Sequence, residues 1–323
     1  MAFRILIIDK MHPSITQLLQ SHNLEADYRP DITRQEILSI IAHYEGLMVR
    51  SKTSIDLEIL TQATKLQLIA RAGAGLDKID LAQAYQQNIK IINAPEGNRD
   101  AVGEQAVGML LALMHNVLRS DLEVRNKIWK REANRGIELM GKVVGIIGYG
   151  NMGRAFAQRL SSFGCEVIAY DKRPNRGDAY ARQVDMPEIY ERAQILSLHI
   201  PLEDDTYELV DDAFLDQFKH PIFLINTARG KVLKLATLQR KLEQGKVLGA
   251  ALDVLENEKL DQLNPDEAHT FDQLRQSPQV IFTPHIAGWT HESFQKINEV
   301  LVDKIVEYLQ AQSKWSNSMT TEK

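Results

Sequence analysis

Residues 143–171 read VVGIIGYGNMGRAFAQRLSSFGCEVIAYD, and this stretch decides the fold. Its first five residues are apolar and predict a buried parallel strand. After Gly153, apolar side chains return at helical spacing, which predicts a helix. A second predicted strand, residues 165–170, ends at Asp171. The order is therefore strand, glycine-rich turn, helix, strand and acid.

The turn in this stretch has the spacing of a dinucleotide-binding loop, G-x-G-x-x-G. Gly148 permits the tight turn, Gly150 lets the backbone approach a pyrophosphate, and Gly153 allows the helix to pack closely on the strand. The free N–H groups and the dipole of the helix N-terminus then stabilise the anion. Asn151 and Met152 complete the predicted cofactor loop. A lone motif of this kind is weak evidence, but here the strand, the helix and the acid accompany it.

Asp171 follows Gly153 by 18 residues, close to the roughly 20 expected for the acid that binds the adenosine ribose. Its carboxylate would accept hydrogen bonds from the ribose hydroxyls and repel a 2′-phosphate, so the sequence predicts NAD rather than NADP. Lys172 and Arg173 follow at once. They either soften that preference or are solvated surface charges.

Length and composition predict a two-domain globular protein, because the chain has 323 residues, 44% of them hydrophobic and 25% charged. The net charge of −5 argues against nucleic-acid and anionic-membrane partners. The longest apolar stretch, residues 106–114, is too short to span a bilayer, and the N-terminal residues indicate a strand rather than a signal peptide. Cys165 is the one cysteine, which excludes an intramolecular disulfide and favours a cytoplasmic location.

Short apolar runs alternate with helical stretches on both sides of the glycine-rich turn. This alternation predicts an α/β fold with parallel sheets covered on both faces. We therefore expect two doubly wound parallel-sheet domains. A Rossmann nucleotide domain, residues 99–285, would be inserted into a flavodoxin-like substrate-binding domain made of residues 1–98 and 286–323.

Local signals predict where several helices begin. Thr33 is placed to start a capping box, and Asp56 and Asp80 are placed to cap the two helices that follow. One long helix is expected over about residues 100–118, and a polar loop over residues 256–277.

Three motifs after Asp171 lie where a predicted strand ends, the position that faces ligands in an open α/β sheet. They are Ile225–Gly230, Ala251–Glu258 and Thr283–Gly288. Oxidation of a 2-hydroxy acid by hydride transfer needs a base for the hydroxyl proton and a cation for the carboxylate. His285, oriented by a carboxylate, and Arg229, with its planar fork of donors, meet these needs. The carboxylate is either Glu256 or Glu258.

Each of these residues also has a common structural role, since an arginine after a strand is often a surface salt-bridge partner and a lone histidine is more often structural. Their joint appearance at successive strand ends favours catalysis. The nine histidines lack metal-ligand spacing, so no metal site is predicted. A second glycine-rich turn, Arg71–Asp80, offers backbone N–H groups that suit a carboxylate, or is a plain strand-to-helix connection.

Together these motifs resemble those of the D-isomer-specific 2-hydroxyacid dehydrogenase family, and within it most closely the phosphoglycerate dehydrogenases that lack a regulatory domain. The resemblance runs from Arg50–Thr53 to Thr283–Gly288, nearly the whole chain. It implies an NAD-dependent enzyme that acts on a small 2-hydroxy or 2-keto acid. It also implies a homodimer or homotetramer, with contacts through the long helix and residues 119–138.

The resemblance further implies residue roles. Arg229 would bind the substrate carboxylate and carbonyl, His285 would be the acid and base, and Glu258 its partner. The D-V-x-x-x-E spacing favours Glu258 over Glu256, although Lys259 stands where the family usually has proline. The remaining cofactor contacts would come from Asp253, at the nicotinamide carboxamide, and from His199, Pro201, Thr206, Thr227, Ala228 and Gly288. The substrate side would be lined by Arg50, Ser51, Ala74, Gly75 and Asn98.

D-3-phosphoglycerate, the substrate that opens serine synthesis, is the first expectation for the substrate. Its phosphate needs extra positive charge, which Arg50 and Lys52 supply, with Arg71, Lys130 and Arg135 as further candidates. Alternatively, these are ordinary surface charges, and glyoxylate, hydroxypyruvate, D-lactate-type substrates and formate remain open. A non-enzymatic NAD-sensing protein on the same scaffold is the alternative from a different class.

Overall fold

The computed structural model describes residues 3–321, and the side chains of residues 3–312. The chain divides into two compact units, Met1–Asn98 with Thr290–Lys323, and Arg99–Trp289. The division therefore falls after residues 98 and 289, where the sequence predicts 98 and 285. The role of the first unit in substrate binding stays a prediction.

The described residues contain twelve strands and twelve α-helices. The strands are β1 (Arg4–Ile7), β2 (Glu25–Tyr28), β3 (Gly46–Val49), β4 (Leu68–Arg71), β5 (Lys90–Asn93), β6 (Val143–Ile147), β7 (Glu166–Tyr170), β8 (Arg182–Gln183), β9 (Ile195–Leu198), β10 (Ile222–Asn226), β11 (Val247–Leu252) and β12 (Val280–Phe282). The helices are α1 (Ser14–Ser21), α2 (Arg34–Ile40), α3 (Leu57–Gln62), α4 (Leu81–Gln86), α5 (Pro95–Met114), α6 (Val117–Arg125), α7 (Asn151–Leu160), α8 (Met186–Arg192), α9 (Asp212–Asp216), α10 (Leu235–Glu243), α11 (Pro265–Gln276) and α12 (His291–Thr321).

The first unit is built on a parallel sheet in the order β2-β1-β3-β4-β5. This is the flavodoxin order, in which the chain winds outward in both directions from β1 and β3. All four residues of β3 are buried, as expected of a strand covered on both faces. The C-terminal helix α12 returns to this sheet, where Ile297 and Leu301 pack in one apolar cluster with Ile5 and Ile7.

The predicted helix starts in the first unit are confirmed. The Thr33 side chain accepts a hydrogen bond from the backbone N–H of Glu36, whose carboxylate accepts one from the backbone N–H of Thr33. The side chains of Asp56 and Asp80 likewise accept hydrogen bonds from N–H groups in the first turns of α3 and α4.

The second unit is built on a seven-stranded parallel sheet in the order β12-β11-β10-β9-β6-β7-β8. Counted from β6, this is the dinucleotide-binding order 3-2-1-4-5-6 with a seventh strand added beyond the sixth. The order reverses between β6 and β9, the point at which such sheets bind their ligand. The expected α/β fold with two doubly wound parallel sheets is confirmed.

Two local predictions in the second unit are wrong, and one strand was not predicted. The expected long helix breaks into α5 and α6 at Asn116, which has a φ of +55°, a left-handed conformation that ends a helix. The expected polar loop over residues 256–277 contains α11, a twelve-residue helix that buries only Leu274. The edge strand β8 has only two residues, neither of them apolar, so no hydrophobic run predicts it.

Among the described residues, no single helix is both long and apolar enough to cross a membrane. The consecutive helices α5 and α6, bent by 62° relative to each other, reach that length and composition only as a pair.

Candidate active site

The glycine loop joins β6 to α7, and two of its glycines are packed too closely for any side chain. A Cβ atom at Gly148, which has a φ of +91°, would lie 2.5 Å from the carbonyl oxygen of His199. A Cβ atom at Gly153 would lie 2.2 Å from the carbonyl oxygen of Gly148. A Cβ atom at Gly150, in contrast, would meet one atom within 4 Å, Nη2 of Arg173 at 3.6 Å. The loop is thus tight on its inner side and open at Gly150, as close approach by a phosphate requires.

Asp171 follows β7 and lies beside this loop with its side chain only 5% exposed. Its carboxylate accepts hydrogen bonds from the backbone N–H of Tyr149 at 2.9 Å and from the backbone N–H and guanidinium of Arg173. Burial alone would raise the pKa of Asp171, but the hydrogen bonds from Arg173 and Tyr149 outweigh it and lower that pKa below its usual value. The acid is therefore ionised at neutral pH.

The segment after β9 contains three predicted cofactor residues. His199 Nε2 lies 2.8 Å from Ser197 Oγ, while Nδ1 is buried without a hydrogen-bond partner among the described side chains. Burial lowers the pKa of His199 to about 3, so its imidazole is neutral. Thr206 Oγ1 donates to the carbonyl of Pro201 at 2.8 Å and accepts from the backbone N–H of Glu203 at 2.8 Å. Thr206 therefore shapes this loop from within, and the cofactor roles of all three residues stay predictions.

Arg229 lies at the end of β10, in a turn held by Asn226. The Asn226 side chain accepts from the backbone N–H of Ala228 at 3.0 Å and donates to the carbonyl of Arg229 at 3.0 Å. Thr227 Oγ1 is buried and has no hydrogen-bond partner among the described residues. A Cβ atom at Gly230 would lie 1.8 Å from the carbonyl oxygen of Leu255, so this turn packs directly on the segment that carries Glu258.

Asp253, at the end of β11, anchors the loop that follows β12. It is 1% exposed, and its carboxylate accepts from Thr283 Oγ1 at 2.6 Å and from the backbone N–H groups of Ile286 at 2.8 Å and Ala287 at 2.9 Å. Its carbonyl also accepts from the backbone N–H of His285 at 2.8 Å. Sequence reasoning missed this anchoring role and assigned Asp253 to the nicotinamide. The contact with nicotinamide stays a prediction.

His285 sits in that loop with a φ of +54°, a left-handed conformation that a residue with a side chain adopts only when its surroundings impose it. The contacts of Asp253 on either side of His285 supply that constraint. Backbone strain of this kind is concentrated at functional sites. The backbone of His285 is thus held in one conformation.

His285 Nδ1 lies 2.9 Å from Glu258 Oε1, and both side chains are half exposed. This hydrogen bond raises the pKa of His285 above its usual value, while burial and the positive charge of Arg229 oppose the rise. Because Nδ1 is engaged by the carboxylate, Nε2 is the nitrogen left to exchange a proton with a ligand. The geometry brings Glu258, His285 and the charge of Arg229 together in the second unit.

Glu256, the other candidate partner, points elsewhere. Its Oε2 accepts from the backbone N–H of Leu235 at 2.5 Å, and burial raises its pKa. Of the two carboxylates that the sequence left open, the one at His285 is therefore Glu258.

The residues predicted to line the substrate side all belong to the first unit: Arg50, Ser51, Ala74, Gly75 and Asn98. The Arg50 guanidinium lies over the ring of Phe294, with Cζ 5.4 Å from the ring centroid, and burial lowers the pKa of Arg50. Asn93 Nδ2 donates to the carbonyl of Ala74 at 2.6 Å, which shapes the turn that carries Gly75. The Ser51 carbonyl accepts from Lys78 at 2.5 Å, and Asn98 Oδ1 is buried without a hydrogen-bond partner among the described residues.

Lys52, one of the cations predicted to bind the phosphate, makes hydrogen bonds within the first unit. Lys52 Nζ donates to the carbonyls of Pro30 at 2.7 Å and Ile32 at 2.8 Å. Two of its three donors therefore support a backbone turn, and the binding of a phosphate by Lys52 stays a prediction. Gly288 follows the loop that Asp253 anchors. Among the described residues, no three His, Cys, Asp or Glu side chains are grouped as metal ligands would be.

Comparisons with known proteins agree with this geometry. Residues 107–287, within the second unit, match the family model of the D-isomer specific 2-hydroxyacid dehydrogenase NAD binding domain. Hydroxypyruvate reductase from Thermotoga maritima is 32% identical over 307 residues, which cover 95% of this chain and 98% of that protein. The crystal structure of a D-lactate dehydrogenase from Treponema pallidum superposes with a TM-score of 0.79 at 27% identity, covering 95% of this chain and 97% of the other.

D-3-phosphoglycerate dehydrogenase from Archaeoglobus fulgidus is 30% identical over 306 residues, which cover 94% of this chain. This chain spans 56% of the length of that protein. These comparisons show that the chain belongs to the D-isomer specific 2-hydroxyacid dehydrogenase family, and that NAD is the cofactor of its second unit. The close packing at Gly148 and Gly153, the open face at Gly150 and the placement of Asp171 fit that cofactor.

Proposed function

We propose that this NAD-dependent D-2-hydroxyacid dehydrogenase oxidises D-3-phosphoglycerate, with His285, Glu258 and Arg229 as its catalytic residues. The observation that carries the chemistry is the 2.9 Å hydrogen bond between His285 Nδ1 and Glu258 Oε1. NAD, when bound, would supply the hydride acceptor for C2 of the hydroxy acid, and NADH would supply the hydride donor for the keto acid. His285 takes the hydroxyl proton at Nε2 during oxidation and gives it back during reduction.

Glu258 and Arg229 have complementary tasks in this proposal. The Glu258 carboxylate orients the imidazole and stabilises the imidazolium that forms when His285 takes the proton. The Arg229 guanidinium binds the substrate carboxylate through two parallel hydrogen bonds and polarises the carbonyl in the reverse direction. Asp253 holds the loop on which His285 lies, and so fixes the distance over which the proton moves.

Arg50 supports the phosphate-bearing substrate. It is half-buried against Phe294, so its charge is held in place and only partly solvated. A phosphate dianion gains more from such a cation than from a fully solvated one. The turn at Ala74 and Gly75 would supply backbone N–H groups to the carboxylate.

Hydroxypyruvate or glyoxylate reduction is the second candidate, and a specific observation favours it. Lys52 donates to two backbone carbonyls, so one of the two cations expected to bind the phosphate is already partly engaged. The Thermotoga maritima protein, a relative that this chain spans almost completely, is a hydroxypyruvate reductase. Both candidates use the same His285, Glu258 and Arg229. The substrates differ beyond C2: phosphoglycerate has a phosphorylated C3, hydroxypyruvate has a C3 with a hydroxyl group, and glyoxylate has no C3.

The first experiment measures NADH formation from D-3-phosphoglycerate beside NADH oxidation by hydroxypyruvate, glyoxylate and pyruvate. Wild type, His285→Ala, Arg50→Ala and the exposed-cation control Lys65→Ala are compared. We expect His285→Ala to lower kcat by about 10²- to 10⁴-fold with every substrate, the usual contribution of a general base. Arg50→Ala should lower kcat/KM for phosphoglycerate at least about tenfold, because the phosphate loses a charged hydrogen-bond partner. The same variant should lower kcat/KM for glyoxylate much less, because glyoxylate has no phosphate.

The outcomes separate the candidates. If an unphosphorylated keto acid gives the dominant rate and Arg50→Ala affects all substrates alike, the phosphoglycerate proposal is wrong and the second candidate stands. If no substrate turns over while NADH binds tightly, the protein is a non-enzymatic NAD-sensing protein. Full activity of His285→Ala would contradict the catalytic assignment itself.

The oligomer and the cytoplasmic location also remain proposals. Support for a homodimer comes from α6, in which no residue is buried, and from the segment after it. We define the arm surface as the exposed large apolar side chains of this region: Val117, Leu118, Leu122, Val124, Ile128, Trp129, Ile137 and Met140. Several large apolar side chains exposed in one region of a chain are typical of a protein interface.

A further inference from the structure

The carboxylate of Asp171 is fully engaged by donors of its own chain. Oδ1 accepts from the backbone N–H of Arg173 at 2.9 Å and from its Nε at 2.9 Å. Oδ2 accepts from the backbone N–H of Tyr149 at 2.9 Å and from Arg173 Nη2 at 3.1 Å. A carboxylate offers about four lone-pair sites. All of them are therefore in use, two of them by the Arg173 guanidinium.

The adenosine ribose hydroxyls of NAD bind to the acid at this position of the fold. They reach Asp171 only if a donor already there gives way. The segments that carry the backbone donors are held by other contacts. Gln183 Nε2 donates to the carbonyls of Asp171 at 3.2 Å and Arg173 at 2.8 Å, and Tyr149 Oη donates to Asp178 Oδ1 at 2.7 Å. The Arg173 side chain is 53% exposed and can move into solvent. Its guanidinium is thus the group that yields.

Neighbouring cations are held elsewhere. Lys172 Nζ lies 2.5 Å from Glu203 Oε2 and 3.7 Å from Asp205 Oδ2. Arg154 Nε lies 2.6 Å from Asp178 Oδ2. Arg173, in contrast, reaches from Asp171 to the open face of the glycine loop, where its Nη2 lies 3.6 Å from the position of a Cβ atom at Gly150. Of the two cations that follow Asp171, only Arg173 lies between the acid and the loop.

We propose that Arg173 is a cofactor-selectivity residue that allows this protein to bind NADP(H) as well as NAD(H). With a 2′-hydroxyl, the guanidinium only competes with the ribose for Asp171. With a 2′-phosphate, it leaves Asp171 for the phosphate, with which it forms charge-assisted hydrogen bonds. The same side chain therefore weakens NADH binding and strengthens NADPH binding. This inference rests on the nucleotide loop and is independent of the substrate proposed above.

The test is direct binding of NADH and NADPH to the purified protein, followed by the fluorescence of the reduced nicotinamide, with no substrate present. Wild type, Arg173→Ala and Lys172→Ala are compared. In Arg173→Ala we expect the Kd of NADPH to rise about tenfold, the loss of one hydrogen-bonded ion pair. The Kd of NADH should fall about two- to fivefold, since a competing exposed ion pair of modest strength is gone. Lys172→Ala should change neither.

A second variant keeps the test independent of any one substitution. Asp171→Asn removes the charge that holds Arg173, so the ratio Kd(NADPH)/Kd(NADH) should fall. In Arg173→Ala the same ratio should rise more than about fivefold, and a smaller rise overturns the proposal. A matching rise in Lys172→Ala overturns it as well, because the effect would then be one of general charge. Melting curves of all variants show that each is folded.

Discussion

Glu258 sets the pH at which His285 exchanges its proton. The hydrogen bond from His285 to Glu258 raises the pKa of the histidine, so the imidazolium persists to higher pH than it would alone. Reduction of a keto acid consumes that proton. The rate of reduction should therefore be full below the pKa of His285 and fall as pH rises through it.

Glu258→Gln should move this fall in rate to lower pH. The amide cannot offer the negative charge that stabilises the imidazolium, so the pKa of His285 drops towards its ordinary value. The measurement is kcat/KM for keto-acid reduction as a function of pH. The matched control is Glu256→Gln, which should leave the profile in place because Glu256 is bound to the backbone of Leu235. Identical profiles for wild type and Glu258→Gln would exclude Glu258 as the partner.

At the scale of elements, the loop after β12 depends on a single residue of the neighbouring strand. Asp253 accepts hydrogen bonds from Thr283, Ile286 and Ala287 and is 1% exposed. Its removal leaves the backbone N–H groups of Ile286 and Ala287 without their acceptor, and Ala287 is buried. Each such group costs about 1–3 kcal/mol.

Asp253→Ala should therefore lower the free energy of unfolding by about 2–4 kcal/mol. It should also reduce kcat, because the loop would no longer hold His285 at its positive φ. Chemical denaturation and steady-state kinetics measure the two effects. Asp261→Ala, an exposed aspartate on the preceding segment, is the control and should change neither. A stable but inactive Asp253→Ala protein would indicate a role in the chemistry instead of the loop.

At the scale of the whole molecule, the arm surface predicts association of two chains. Trp129 is 83% exposed and Met140 is 70% exposed, and burial of such side chains between subunits would stabilise a dimer. Trp129→Asp places a charge in the middle of that surface. We expect the mass in solution, measured by light scattering after gel filtration, to fall to that of a single chain.

Tyr85→Asp is the matched control for this prediction. Tyr85 is a similarly large aromatic residue, 60% exposed, on α4 of the first unit. It should leave the oligomer unchanged. A wild-type protein that already has the mass of one chain would contradict the proposed homodimer.

The sequence by itself determined the features that depend on neighbours along the chain. Strand β6 begins and ends at the predicted residues, because its apolar run and the glycine-rich turn after it are local signals. The caps at Thr33, Asp56 and Asp80 are local for the same reason. The glycine loop was readable because a left-handed or tightly packed backbone admits few residue types.

Elements without an apolar pattern could not be read in this way. α11 buries only Leu274, and the signals that could have revealed it are the capping box at Asn264 and Glu267 and the proline in the first turn. β8 is held at the sheet edge by its pairing with β7 and not by its own residues. In both cases the stabilising contacts come from other parts of the chain.

Only the tertiary structure decided which side chains meet. The spacing favoured Glu258 over Glu256, but the contact of Glu258 with His285 joins residues 27 positions apart, and the anchoring of Thr283 by Asp253 joins residues 30 positions apart. Both contacts exist because parallel strands bring their carboxyl ends to one edge of the sheet, where segments distant in sequence converge. The pairing of Asp171 with Arg173 is close in sequence, but its meaning depends on the fold, which sets both residues beside the glycine loop. The spacing of residues along the chain indicates the candidates for each contact. The hydrogen bonds at the carboxyl edge of the sheet show which of these candidates meet.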